Sequence, residues 1–199
     1  MNIRIKTSIF LISIFCLFFP HVLRAGEATD KIRKAIDQSI SILNGPKCKN
    51  DYKKDKCMRK LRDVVYPLFN FPEMAKRSLG RHWRHRNLLE REEFIGLFTA
   101  LLEKSYAGKI DNYGGEKIEF TRETMEKDYA QVDSKLISKK GQDYSVKYKL
   151  LHINGTWKIY DVVIENISLV NNYRSQFNRI IRRSSYKDLI KKIRQKSEQ

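Results

Sequence analysis

The sequence has few of the side chains that carry chemistry. It holds 4 His and 3 Cys among 199 residues. No Ser, Cys or Lys stands in a nucleophile motif, and no glycine-rich loop is spaced to cradle a phosphate. His82 and His85 lie three apart, a spacing that can place both rings on one helical face. Their neighbours Arg81, Arg84 and Arg86 repel a cation, and no further ligand stands close, so no metal and no cofactor are expected. His152 is isolated. Tyr160-Asp161 is the pair that could do acid–base work in a cavity. An Asp at a strand edge, or paired with Arg, is the commoner explanation of such a residue.

Long apolar runs are also scarce. Ser8 to Phe19 is apolar but too short to span a bilayer comfortably. Arg4 and Lys6 precede it, and Pro20 and Ala25 follow. Residues 1–25 therefore read as an export signal, with residues 26–199 left as one domain. Cys16 would leave with the signal. Cys48 and Cys57 would remain, and in an oxidising compartment such a pair suggests a disulfide clip. Two free thiols are the alternative. No His or further Cys stands nearby to make a zinc site.

Acidic residues are outnumbered. Lys and Arg total 40 against 23 Asp and Glu, a formal charge of +17. Lys76, Arg77, Arg81, Arg84, Arg86 and Arg91 form one basic stretch. Arg179, Arg182, Arg183, Lys187, Lys191, Lys192, Arg194 and Lys196 form another. No nucleic-acid motif accompanies them, and export argues against such a partner. An anionic membrane surface or an acidic protein needs only the charge.

What is present is pattern. Ile32, Ile36, Ile40 and Leu43 share a face, so Thr29 to Leu43 reads as an amphipathic helix. A second helix is expected from Asp51 to Tyr66, stopped by Pro67, and a short third from Phe71 to Gly80. Asn87 and Glu90 resemble a capping box. The helix they open runs to about Tyr106, with a wide apolar stripe including Phe94, Phe98, Leu101 and Leu102. Gly108 and Gly114-Gly115 close the helical half. Strands follow, with turns near Lys127-Asp128, Lys140-Gly141 and Asn154-Gly155, the last a strong hairpin signal. Thr156 to Ile164 reads as the last of four strands. Helical spacing returns from Ser168 through Leu169, Tyr173, Phe177, Ile180 and Ile181. Ser185 and Asp188 start a final basic helix at Tyr186. The order is α+β, with helices packed on a curved four-stranded antiparallel sheet.

The stretch Trp157 to Phe177 is the most apolar part of the chain outside the signal. Periodicity leaves open whether it is core or the wall of a pocket. Four motifs bear on that question. They are F-N-F-P-E-M-A-K-R-S-L-G-R-H-W (69–83), F-T-A-L-L-E-K-S-Y-A-G-K-I (98–110), G-E-K-I-E-F (115–120) and W-K-I-Y-D-V-V-I-E-N-I-S-L-V-N-N-Y-R-S-Q-F (157–177). In this order and spacing the chain resembles the MlaC, or toluene-tolerance, family over residues 28–195.

The resemblance implies a cystatin/NTF2-like cone with a deep apolar pocket and no catalytic role. It implies a periplasmic phospholipid carrier, with phospholipid as its ligand. Its expected partners are an inner-membrane ABC transporter complex with an MCE-domain protein and an outer-membrane lipoprotein complex, with transient contact at membrane surfaces. Such a carrier keeps the outer membrane's lipids asymmetric. It also implies a pocket lined by Leu102, Tyr106, Val146, Tyr148, Val163, Ile167, Val170 and Tyr173. The Cys48–Cys57 loop and the very basic tail depart from common members. Two alternatives stand beside this reading. One is an enzyme of the same fold class using Asp161 or Tyr160. The other is a basic exported adaptor with a solid core and no ligand.

Overall fold

Capping decides where the helices begin. The computed structural model describes residues 26–45, 48, 54–111 and 114–198. The expected export signal, residues 1–25, and the expected helix start at Asp51 lie outside them. Helix α1 spans Glu27–Asn44, α2 Lys54–Val65, α3 Phe71–Leu79 and α4 Leu88–Asp111. Helices α5, Leu169–Arg183, and α6, Tyr186–Glu198, close the chain. Asn70 caps α3 by accepting the amide of Glu73 at 3.1 Å. Asn87 and Glu90 exchange amide-to-side-chain hydrogen bonds, both 2.9 Å, in a reciprocal box at the start of α4. Ser185 accepts the amide of Asp188 at 3.1 Å before α6.

Between the helical groups lies one antiparallel sheet in the order β1-β2-β3-β4-β5. Its strands are β1 Lys117–Glu126, β2 Tyr129–Ile137, β3 Asp143–Ile153, β4 Thr156–Ile164 and β5 Ile167–Ser168. The expected four strands are thus five. Glu165 and Asn166 both take positive φ, 48° and 63°, and form a two-residue turn. The chain then folds back for two residues, pairing Ile167 with Ile164 and Ser168 with Val163, before α5 begins. Two residues are too few for alternation to reveal a strand.

Two bulges bend this sheet and change which residues face which side. One inserts Thr121 into β1, between the pairs Phe120–Ser134 and Arg122–Asp133. The other inserts Tyr160 into β4, between Ile159–Leu150 and Asp161–Lys149. Each moves the following carboxylate to the opposite side of the sheet from the one alternation assigns it. Glu123, after the first, reaches α1 and accepts the amides of Gly26 and Thr29 at 3.0 and 2.8 Å, together with the Thr29 hydroxyl. Asp161, after the second, turns toward α5.

The apolar interior is divided. One cluster joins α3, α4, α5 and α6 through Met74, Leu79, Phe94, Phe98, Phe177 and Leu189. Its rings meet edge to face, with Phe94 and Phe98 lying 5.7 and 5.9 Å from Phe177. The other joins α1 to the sheet through Ala28, Ile32, Val132, Leu150, Trp157 and Ile159. The α2–α3 connection is tacked to β4, where the amide of Asn70 donates to the Ile159 carbonyl at 2.8 Å. A domain of this size usually holds one continuous core. Here a space lies between two.

Candidate functional site

That space is a cavity of about 310 Å³. It sits at the low end of the roughly 300–1,000 Å³ that small-molecule sites occupy. Met58, Leu61 and Val65 of α2 form one wall. Phe71 and Met74 of α3, with Phe69 and Tyr66 before them, form a second. Thr99, Leu102 and Tyr106 of α4 form a third, and Tyr148, Val162, Ile164 and Leu169 close it from the sheet side. Nearly all of this lining is hydrocarbon or aromatic ring.

Elementary packing explains why these segments leave a gap. Helix α4 is apolar around much of its circumference, so it can face α3 and α6 and still present Leu102 and Tyr106 elsewhere. Helix α2 packs on α1 and on the turn of 3₁₀ helix Tyr66–Leu68, and faces α4 across the cavity. A disulfide joins Cys48 to Cys57, with Cα atoms 5.3 Å apart, and ties the N-terminal part of α2 beside the end of α1.

Leu102, Tyr106 and Tyr148 line the cavity. The other five expected residues are not among the lining residues described. Simple alternation groups Val163 with Trp157 and Ile159. The bulge at Tyr160 reverses that phase, so Val162 and Ile164 face the cavity and Val163 faces away. Val146 is buried on the cavity side of β3, opposite Ile164, but its neighbours Tyr148 and Ile164 make the surface. Ile167 is 65% exposed at the β4–β5 turn. Val170 is buried in the helical cluster, and Leu169 takes the cavity position instead. Tyr173 packs on Phe98 and Phe177, with ring centroids 5.3 and 5.4 Å away.

Helix α2 supplies a wall that no sequence signal marks as cavity lining. Leu61 and Val65 do fall on an apolar stripe, but such a stripe reads equally as ordinary core. The 69–83 motif contains Phe69, Phe71 and Met74 without marking them as lining.

The polar groups sit together on one side. The Arg62 guanidinium pairs with one carboxylate oxygen of Glu103, and the Tyr66 hydroxyl donates to the other. Burial tends to raise the Glu103 pKa, but hydrogen bonds from Tyr66 and Arg62 outweigh it and hold the carboxyl below its ordinary value. Burial, reinforced by the Glu103 carboxylate, pushes the Tyr66 phenol up to about 12. Burial also raises the phenols of Tyr106 and Tyr148. All three tyrosines are neutral hydroxyls at physiological pH.

The candidate acid–base pair lies away from this cavity. Asp161 accepts hydrogen bonds at the start of α5, and Arg77 sits 4.2 Å above the Tyr160 ring. His82 bonds Asn178 at 3.0 Å, and His152 packs against Trp157 with centroids 4.9 Å apart and ring planes tilted by 55°. Among the described residues, no three His, Cys, Asp or Glu converge to hold a metal. Among them too, no helix is long and apolar enough to cross a membrane.

Known proteins share this architecture. A phospholipid-binding protein from Ralstonia solanacearum, solved in complex with a phospholipid, superposes with a TM-score of 0.75 at 20% identity. The match covers 86% of this chain and 97% of that one. In sequence, the chain is 24% identical over 144 residues to the Haemophilus influenzae intermembrane phospholipid transport system binding protein MlaC. That match covers 70% of this chain and 67% of the relative. The model of the MlaC protein family matches residues 33–195, and the chain belongs to that family.

Proposed function

We propose that the protein is a phospholipid carrier that holds acyl chains in the cavity between its two apolar clusters. The observation that carries this reading is the cavity itself, apolar over nearly all of its lining with its charged groups gathered on one side. Burying a methylene contributes ~0.8 kcal/mol, so roughly thirty methylenes of lipid tail represent on the order of 20 kcal/mol of exposure to water. A dry protein cavity replaces most of what the bilayer supplied. Release to an acceptor membrane can then be close to balanced, and no bond need be made or broken.

Direction comes from partners. A carrier with equal affinity for both ends shifts no equilibrium. In this reading residues 1–25 direct export, and the mature chain works in the periplasm. It moves between an inner-membrane MCE-domain ABC transporter complex and an outer-membrane lipoprotein complex. Exposed Arg179, Arg182, Arg183, Lys187, Lys191 and Lys192 on α5 and α6 suit transient contact with an anionic surface. The family membership and the phospholipid bound in the Ralstonia protein's structure support the assignment.

Native mass spectrometry of freshly purified mature protein tests it. A bound mass that extracts as phospholipid is expected. Protein that stays lipid-free after incubation with phospholipid vesicles would overturn the carrier reading and favour the adaptor.

A further inference from the structure

An apolar cavity explains the tails of a lipid but not its phosphate. Among the described lining residues Arg62 is the one cation and Glu103 the one anion, and they pair directly with each other from α2 and α4. Both remain in touch with solvent, their side chains being 44% and 31% exposed. An anion held here keeps part of its hydration, which avoids the heavy cost of burying a charge.

We propose that Arg62 and the Tyr66 hydroxyl form a subsite for the phosphodiester of the bound lipid, and that Glu103 occupies it when the cavity is empty. The proposal rests on the carrier reading and names the group that recognises the head. The chemistry of exchange is matched. A phosphodiester carries one negative charge and two non-bridging oxygens. The Glu103 carboxylate likewise carries one charge and two oxygens, one on Arg62 and one on Tyr66. Guanidinium is suited to either, since its planar fork binds carboxylate and phosphate alike. The Arg62 carbon also lies 5.8 Å from the Tyr66 ring centroid, so the ring helps hold the fork in place. When the lipid phosphate accepts from Arg62 and Tyr66, Glu103 turns outward to water. The ties exchanged are the hydrogen bonds from Arg62 and Tyr66, and the apolar walls stay as they are.

The test titrates delipidated mature protein with three probes: dioleoyl phosphatidylglycerol, dioleoylglycerol and inorganic phosphate. Arg62→Gln is expected to weaken phosphatidylglycerol binding about tenfold or more, the loss of charge-assisted hydrogen bonds. It should leave dioleoylglycerol affinity within about twofold, a result that also shows the variant is folded. Glu103→Gln is expected to tighten phosphatidylglycerol binding severalfold by removing the internal competitor. A purely structural salt bridge predicts the opposite sign. Equal losses for both lipids in Arg62→Gln, or weaker phosphatidylglycerol binding in Glu103→Gln, would overturn the subsite while leaving the cavity intact. Failure of the wild-type protein to bind either lipid would overturn both readings. Inorganic phosphate binding as tightly as the phospholipid, with the same dependence on Arg62, would overturn the assignment to a lipid.

Discussion

Asp161, 5% exposed, accepts the hydroxyl hydrogen of Ser168 at 2.7 Å, and its other oxygen accepts the amide of Val170 at 3.0 Å. Ser168 in turn accepts the amide of Asn171 at 3.0 Å. The last long strand thus holds the first turn of α5 through one carboxylate. A buried acid of a type open to acid–base chemistry is spent on one helix amide and on the capping hydroxyl of Ser168. Asp161→Asn is expected to lower stability by about 1–3 kcal/mol, as loss of a charged hydrogen-bond acceptor does. Urea unfolding followed by circular dichroism measures it. The folded variant should still carry phospholipid. If stability were unchanged and turnover of an apolar substrate vanished, the enzyme alternative would gain.

Glu123 makes the matching connection for α1. Glu123→Ala should cost about 1–3 kcal/mol, and hydrogen exchange should speed up first in the amide of Thr29. Uniformly faster exchange through the whole chain would argue against a local capping role.

Ile164 and Ile167 are cross-strand partners, yet they differ in what surrounds them. Ile164 is 36% exposed and lines the cavity, whereas Ile167 lies out at the turn. Ile164→Glu should reduce co-purified phospholipid sharply. Ile167→Glu should leave loading near wild type and change stability by no more than about 0.5 kcal/mol. Mass spectrometry of lipid extracts compares the two. Equal loss in both would mean that the turn folds over the ligand.

The disulfide closes a short loop, Cys48 and Cys57 being 9 apart in sequence. The chain-entropy estimate for such a loop is about 2–3 kcal/mol. Cys48→Ser with Cys57→Ser should lower the unfolding free energy by that amount. Adding reductant to this double variant should produce no further change, which separates the bridge from other effects of the reagent.

Glu103 makes stability depend on pH. Its pKa is lowered on folding from 4.5, so its contribution is complete above that value and is lost as pH falls through the lower folded pKa. Arg62 stays charged throughout. The melting temperature of wild type should therefore drop more steeply than that of Glu103→Gln as pH falls below about 4.5. Parallel profiles would show that the Arg62–Glu103–Tyr66 link adds no stability.

The order of helices and strands follows from local rules. Asn87 with Glu90, Ser185 with Asp188 and Asn154-Gly155 act within a few residues, so their consequences are legible in the chain itself. Amphipathic spacing likewise marks the buried faces of α1 and α5, because a helix of fixed pitch repeats one side every three or four residues. The four motifs, taken as a resemblance, indicated a pocket and named Leu102, Tyr106 and Tyr148 among its walls.

Tertiary structure decided the rest, because the deciding events are not local. An inserted Tyr160 turns Val163 away from the cavity and Asp161 into a helix cap. Alternation cannot announce a bulge, since the extra residue is defined only by the strand opposite. The same apolar residues would serve a filled core or a hollow one. Only the placement of α2 away from α4 leaves the space, and only that placement brings Arg62 to Glu103, 41 positions later in the chain. Trp157 and Phe177, at the ends of the most apolar stretch, fall into the two separate cores, and the cavity lies between those cores.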